Sequence, residues 1–165
     1  MLEIAFGTCD GTGAAINIIL GWQPDMVKMW NTQHANEKSI EWFRLMQPFT
    51  SMDEGVKLDN STITPVTANG ITVYAGGDEI TYDGVTNNRW EDAAGNSVEE
   101  VYVDGYFKKT ADAAPLYRCY GDRVIPNLID GAKIKTTEGF TIGTDGININ
   151  DEQLCWMAIR SIENE

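Results

Sequence analysis

Apolar and polar residues alternate along this chain in short runs, most of them too short to make a helix. Two segments near opposite ends carry the pattern most clearly. In Gly11–Asn31, the residues Ala14, Ile16, Ile18 and Leu20 fall on one face of a strand over Ala14–Leu20. Gly21 ends that strand, and Gln23-Pro24-Asp25 makes a turn. Met26–Asn31 follows, with Val27 and Met29 on one face and Met26, Lys28 and Trp30 on the other. In Gly139–Ser161, a strand over Phe140–Ile142 precedes a turn at Gly146. A final strand over Leu154–Arg160 sets Leu154, Trp156 and Ala158 against Cys155, Met157 and Ile159. Each segment therefore predicts two strands joined by a turn, an end hairpin.

Between them the runs shorten. Ser39–Met46 fits a strand or a short helix, and the neighbouring strands favour the strand; Pro48 closes it. Val56–Leu58, Thr62–Thr67 and Ile71–Tyr74 are further strands, with Asn69-Gly70 as the strongest hairpin-turn dipeptide. From about Gly76 to Ala132, turn dipeptides crowd together. Between Asp78 and Asp104 there are eight acidic residues against one base, Arg89. This stretch predicts a long acidic insertion. Its aromatics mark it as folded. Lys133–Lys135 returns to strand pattern. The expected architecture is all-β: one antiparallel β-sandwich domain over 1–165, jelly-roll-like, with an excursion at about 76–132 between the end hairpins.

Composition narrows the partners. The 165 residues suffice for one core, and the 16 glycines suit strands and turns. The net charge of -13, from 25 acids and 12 bases, argues against nucleic acid and against an anionic membrane surface. No apolar run approaches a membrane span, since Asn17 interrupts the best candidate. Met1–Phe6 lacks the basic start of a signal peptide, so synthesis in a reducing cytoplasm is expected. Cys9, Cys119 and Cys155 form neither a zinc pattern nor a CxxC pair, and Cys155, in an alternating strand, is expected to be buried.

The candidate chemistry is thin. His34, the sole histidine, lies in a polar loop with no nucleophile motif nearby. Glu41 beside Trp42 and Glu91 beside Trp90 pair a carboxylate with an aromatic, as a sugar site would. Abundant acids alone, however, fix no geometry. Asp145–Glu152 is rich in oxygen ligands but lacks the calcium-loop spacing; Asn148 and Asn150, alternating with Ile147 and Ile149, predict the outward face of a strand. Gly7–Gly13 has no P-loop lysine and reads as a flexible lead-in. No catalytic, cofactor-binding or metal-binding residues are expected. The acidic stretch offers an interaction surface at Trp90, Tyr102, Tyr106 and Phe107.

The pattern G-T-G-x-A, then I-x-L-G-[FW]-x-P-x-x-V-K-x-W-N, with N-G-I-x-x-Y and a closing G-F-T-[IL]-G-x-D, resembles small virion structural proteins of tailed bacteriophages. The matching residues are Gly11–Asn31, Ile40–Met46, Asn69–Tyr74 and Gly139–Arg160, under half of the chain. The resemblance implies a β-sandwich and a place in the virion, and carries no binding residues. The expected function is a non-enzymatic capsid decoration or cement protein. It would be made in the host cytoplasm, form a homotrimer, and contact capsid or other virion proteins. Strands apolar on both faces fit this, because they need cover on both sides. The alternative is a receptor- or glycan-binding module of a tail fibre or tail tip, working through the aromatics of the acidic stretch.

Overall fold

The computed structural model describes residues 1–86, 89–95, 97–100, 116–119, 130–131 and 133–162. Among these residues the fold is all-β, with no α-helix and one short 3-10 turn at Arg44–Met46. The first sheet has six strands, in the order β1 (Leu2–Asp10), β14 (Gln153–Ser161), β3 (Met26–Asn31), β4 (Lys38–Phe43), β5 (Val56–Asp59) and β6 (Thr62–Pro65). Every pairing in it is antiparallel. The second sheet runs β12 (Lys133–Lys135), β8 (Glu79–Asp83), β9 (Arg89–Glu91), β10 (Ser97–Glu100), β11 (Leu116–Cys119), β2 (Ile16–Ile19), β13 (Gly139–Ile142) and β7 (Ile71–Tyr74). It is mixed, because β11 runs parallel to both β10 and β2.

The expected end hairpins do not exist. β2 and β3 lie in different sheets, and so do β13 and β14. The two end segments pair with each other instead: β2 with β13 in the second sheet, and β3 with β14 in the first. Each segment is an arch that crosses from one sheet to the other. In the first arch, Leu20 N and Gly21 N donate to Glu138 O at 3.0 and 2.9 Å, so the chain leaves β2 tied to the partner segment. Arg44 then grips the crossover, donating to Gln23 O and Pro24 O at 2.9 Å and pairing with Asp25. The second arch is built on the buried Asn148. Its Oδ1 accepts from Thr12 N at 2.9 Å, and its Nδ2 donates to Ala14 O at 2.6 Å and Gly143 O at 2.9 Å. One amide thereby replaces the ladder bonds that a hairpin would have made.

The core lies between the sheets. Alternation in the first sheet turns the row Ala5, Ala158, Val27 and Trp42 inward across four strands, and all four are buried. The second sheet answers with Ile16, Ile18, Phe140, Ile142 and Ile71. Phe140 and Trp156 meet edge to face, with ring centroids 5.4 Å apart. The Trp156 indole fills the space where a side chain at position 7 would go; a Cβ on Gly7 would lie 2.2 Å from the ring. Gly139 is similarly tight, because its Cβ would lie 1.8 Å from Ile18 O on the neighbouring strand.

Several local expectations are corrected. Gly7–Gly13 is not simply a flexible lead-in: its first four residues complete a nine-residue edge strand, Leu2–Asp10. Ser39–Met46 divides into all but the first residue of β4 and the 3-10 turn. Asn69-Gly70 is a turn, with Asn69 at φ 62°, but it passes from β6 in the first sheet to β7 in the second. The hairpin in this region is β5–β6, turned by Asn60 and Ser61, whose φ values of 45° and 67° suit a primed turn. Ile147–Asn150 is not a strand: it belongs to the second arch, and Asn148 faces in rather than out. Cys155 is half-exposed, whereas Cys9 is buried.

Candidate interaction surface

The outer face of the first sheet is the most unusual surface among the described residues. Register places Ile4, Ile159, Met26 and Phe43 side by side across four strands, an entirely apolar row. Ile4 is 48% and Phe43 37% exposed. The next row begins Phe6, Met157 and is interrupted by Lys28 and Glu41, which form an ion pair. A third row runs from Thr8 through Cys155, Trp30 and Ser39 to Leu58 and Ile63. Lys28 Nζ lies 5.3 Å from the Trp30 ring centre, so the cation of the middle row also covers the third. A monomer would normally set polar residues on such a face.

This face reaches an open edge. β1 pairs with β14 on one side and ends the sheet on the other. Met1 and Ile162 exchange reciprocal backbone bonds at 3.0 and 2.7 Å, and Gly11 N donates to Glu152 O at 2.7 Å. The odd-numbered residues of β1 therefore face β14, and the alternation of an antiparallel ladder turns the N–H and C=O of Leu2, Ile4, Phe6 and Thr8 outward. The same residues carry the outer-face side chains, with Leu2 65% and Phe6 59% exposed. The alternation of Leu2, Ile4 and Phe6 is visible in the sequence, beside a Gly-rich stretch, Gly7–Gly13, that reads as a flexible lead-in.

A polar cleft of about 270 Å³ opens beside the first arch, lined by Gln23, Asp25, Arg44, Glu138, Arg160 and Ser161. Its groups largely bind one another. Arg160 pairs with Glu3 at 2.6 Å and stacks over Trp22, Gln23 Nε2 donates to Glu138 at 3.1 Å, and Ser161 N donates to Asp25 at 2.7 Å. The cleft braces the arch against β14.

The chemical candidates separate. Glu41 and Trp42 point to opposite faces of β4. Trp42 is fully buried with its Nε1 donating to Asp53 O at 3.0 Å, so the two form no carboxylate-aromatic site. Trp90 lies in β9, in register with Tyr82 and Val98. Tyr102, Tyr106 and Phe107 lie outside the described residues, and the proposed aromatic surface is not assembled among those described. His34 is in the loop after β3, where its Nδ1 accepts from Asn36 N at 3.2 Å. Asp145 is engaged by Lys57 at 3.0 Å, and among the described residues no group of three His, Cys, Asp or Glu is placed to hold a metal ion. Glu79 has its carboxyl held below its ordinary range, chiefly by a hydrogen bond and charge attraction from Lys133 across the β8–β12 pair. Among the described residues no helix is long and apolar enough to cross a membrane.

No protein-family model, curated protein or solved structure matches this chain.

Proposed function

We propose that this chain is a non-enzymatic structural protein of a tailed-bacteriophage virion, one that decorates the capsid and stabilises the shell as a homo-oligomer. The observation that carries this is the apolar row Ile4–Ile159–Met26–Phe43, exposed at its two ends and half-buried between them, on a sheet whose other face already supplies the core. At roughly 25 cal/mol per Å² of apolar area, covering such a face on a shell subunit is a substantial driving force for assembly. The resemblance of Gly11–Asn31 and Gly139–Arg160 to small virion proteins supports the setting. In it the protein is made in the host cytoplasm and resides in the virion, with capsid or other virion proteins as partners. A jelly-roll-like sandwich with an acidic excursion over 76–132 belongs to the same reading, and the pairing of β8 with β12 draws the two ends of that stretch together.

Shells lacking the protein provide the test. Saturable binding to them, lost in Phe43→Lys and Met157→Lys variants that keep the wild-type melting behaviour, is the expected result. Binding to host cells without binding to shells would overturn it in favour of a tail-fibre or receptor-binding role.

A further inference from the structure

We infer that the open edge of β1 pairs with β1 of a second copy, antiparallel about a two-fold axis at Ala5, to continue the first sheet across a dimer. The inference concerns the chain alone and does not depend on the virion reading.

The two edges of the first sheet are built differently. β6 is four residues long and ends in Pro65, which has no N–H to offer. Short edges and proline are the usual guards against edge-to-edge pairing. β1 is nine residues long, has no proline, and directs the N–H and C=O of Leu2, Ile4, Phe6 and Thr8 away from β14. Its outer-face side chains are apolar at Leu2, Ile4 and Phe6. Of its two acids, Glu3 near the start is already paired with Arg160, and Asp10 lies at the far end of the strand.

Two-fold pairing of a strand with itself must match outer-face residues with outer-face residues, which leaves few registers. A centre at Phe6 sets apolar Leu2 opposite Asp10. A centre at Ile4 leaves Thr8 beyond the pairing. A centre at Ala5 pairs Leu2 with Thr8 and Ile4 with Phe6, and places Glu3 opposite Gly7, which has no side chain. The exposed Ile4 and Phe6 then become cross-strand neighbours. Main-chain bonds supply the affinity and the alternate side chains the register, as in other strand additions. The contact is two-fold, so the native mass distinguishes it from the trimer that the resemblance implies.

The test uses the full chain without shells. Sedimentation equilibrium and native mass should show a monomer–dimer equilibrium. Ile4→Pro removes a donor that faces the open edge rather than β14, together with an outer-face side chain, and Phe6→Lys replaces an exposed aromatic with a charge. Each should weaken dimerisation by about tenfold or more. Ile63→Lys on β6, a residue 71% exposed, should leave it unchanged. Circular dichroism checks folding, and if Ile4→Pro unfolds the chain, Phe6→Lys decides. In a Cys155→Ala background, mixed Ile4→Cys and Phe6→Cys proteins should crosslink to each other under mild oxidation, and self-crosslinking of either would overturn the register. A monomer at every concentration, a trimer, or a dimer indifferent to both β1 variants would overturn the pairing itself. So would equal sensitivity to Ile63→Lys.

Discussion

The two faces of β14 show how one strand serves two ends. Leu154, Trp156 and Ala158 are buried in the core, while Cys155, Met157 and Ile159 lie half-exposed on the outer face. The two sets are similarly apolar, so composition does not separate them; what they touch does. The inner set packs against Phe140 and its neighbours in the second sheet. Among the described residues the outer set has only its own sheet beside it. Apolar residues on both faces therefore mark a sheet that is stable on one side and available on the other.

The sharpest break in that comparison is Trp156→Ala. It removes the ring that meets Phe140, and the rigid surroundings leave a cavity. A loss of about 3–5 kcal/mol is expected, read by chemical denaturation. The neighbouring Met157→Ala, one residue along on the outer face, should change stability by about 0.5 kcal/mol or less while weakening shell binding. Equal destabilisation by the two would erase the distinction between the faces.

Asn148→Ala comes next. It strands Thr12 N and Ala14 O at the second arch, and about 1–3 kcal/mol should be lost with the outer face untouched. Asn148→Asp sharpens the result: it keeps the acceptor for Thr12 N and loses the donor to Ala14 O and Gly143 O, so it should retain only part of the stability.

The smallest effect lies away from both faces. Glu79 and Lys133 are exposed partners on β8 and β12. The depressed carboxyl of Glu79 stabilises the fold at pH values above its unfolded value, and that contribution disappears as the pH falls through the folded one. Solvent screening keeps it small. Lys133→Gln should raise the Glu79 titration midpoint toward the ordinary carboxylate range, measured by NMR, with no detectable change in shell binding or self-association.

Much of the strand content was legible in the residues. Val27 and Met29 face the core as their alternation predicts, and so do Leu154, Trp156 and Ala158. Trp22, Pro24 and Trp156 are buried. The exposed surface was only half legible. Two-sided apolar strands announced that some cover was needed, from subunit contacts or from the middle stretch. The aromatic set Trp90, Tyr102, Tyr106 and Phe107 lies largely outside the described residues, and among those described the apolar face that stands open belongs to β1, β14, β3 and β4. The edge strand was hidden by Gly7, a residue that usually weakens strands. Here it makes room for the Trp156 indole, a contact between residues that lie 149 positions apart in the chain.

The sequence by itself determined which residues share a face once a strand forms, as in β3 and β14, because side-chain direction alternates with a period of two whatever lies nearby. It also determined where the chain turns, since Gly21, Pro24, Asn69 and Gly70 act on their own backbone. Only the tertiary structure decided where each turn leads. A reversal can return a strand to its neighbour or carry it to the opposite sheet, and local turn chemistry favours neither. The choice fell to pairing between the ends of the chain, β2 with β13 and β3 with β14, and to single side chains such as Asn148 and Arg44 that hold the arches. The two end segments thus pair with each other in both sheets. That placement buries one face of the first sheet and leaves the other, with the edge of β1, open to a partner.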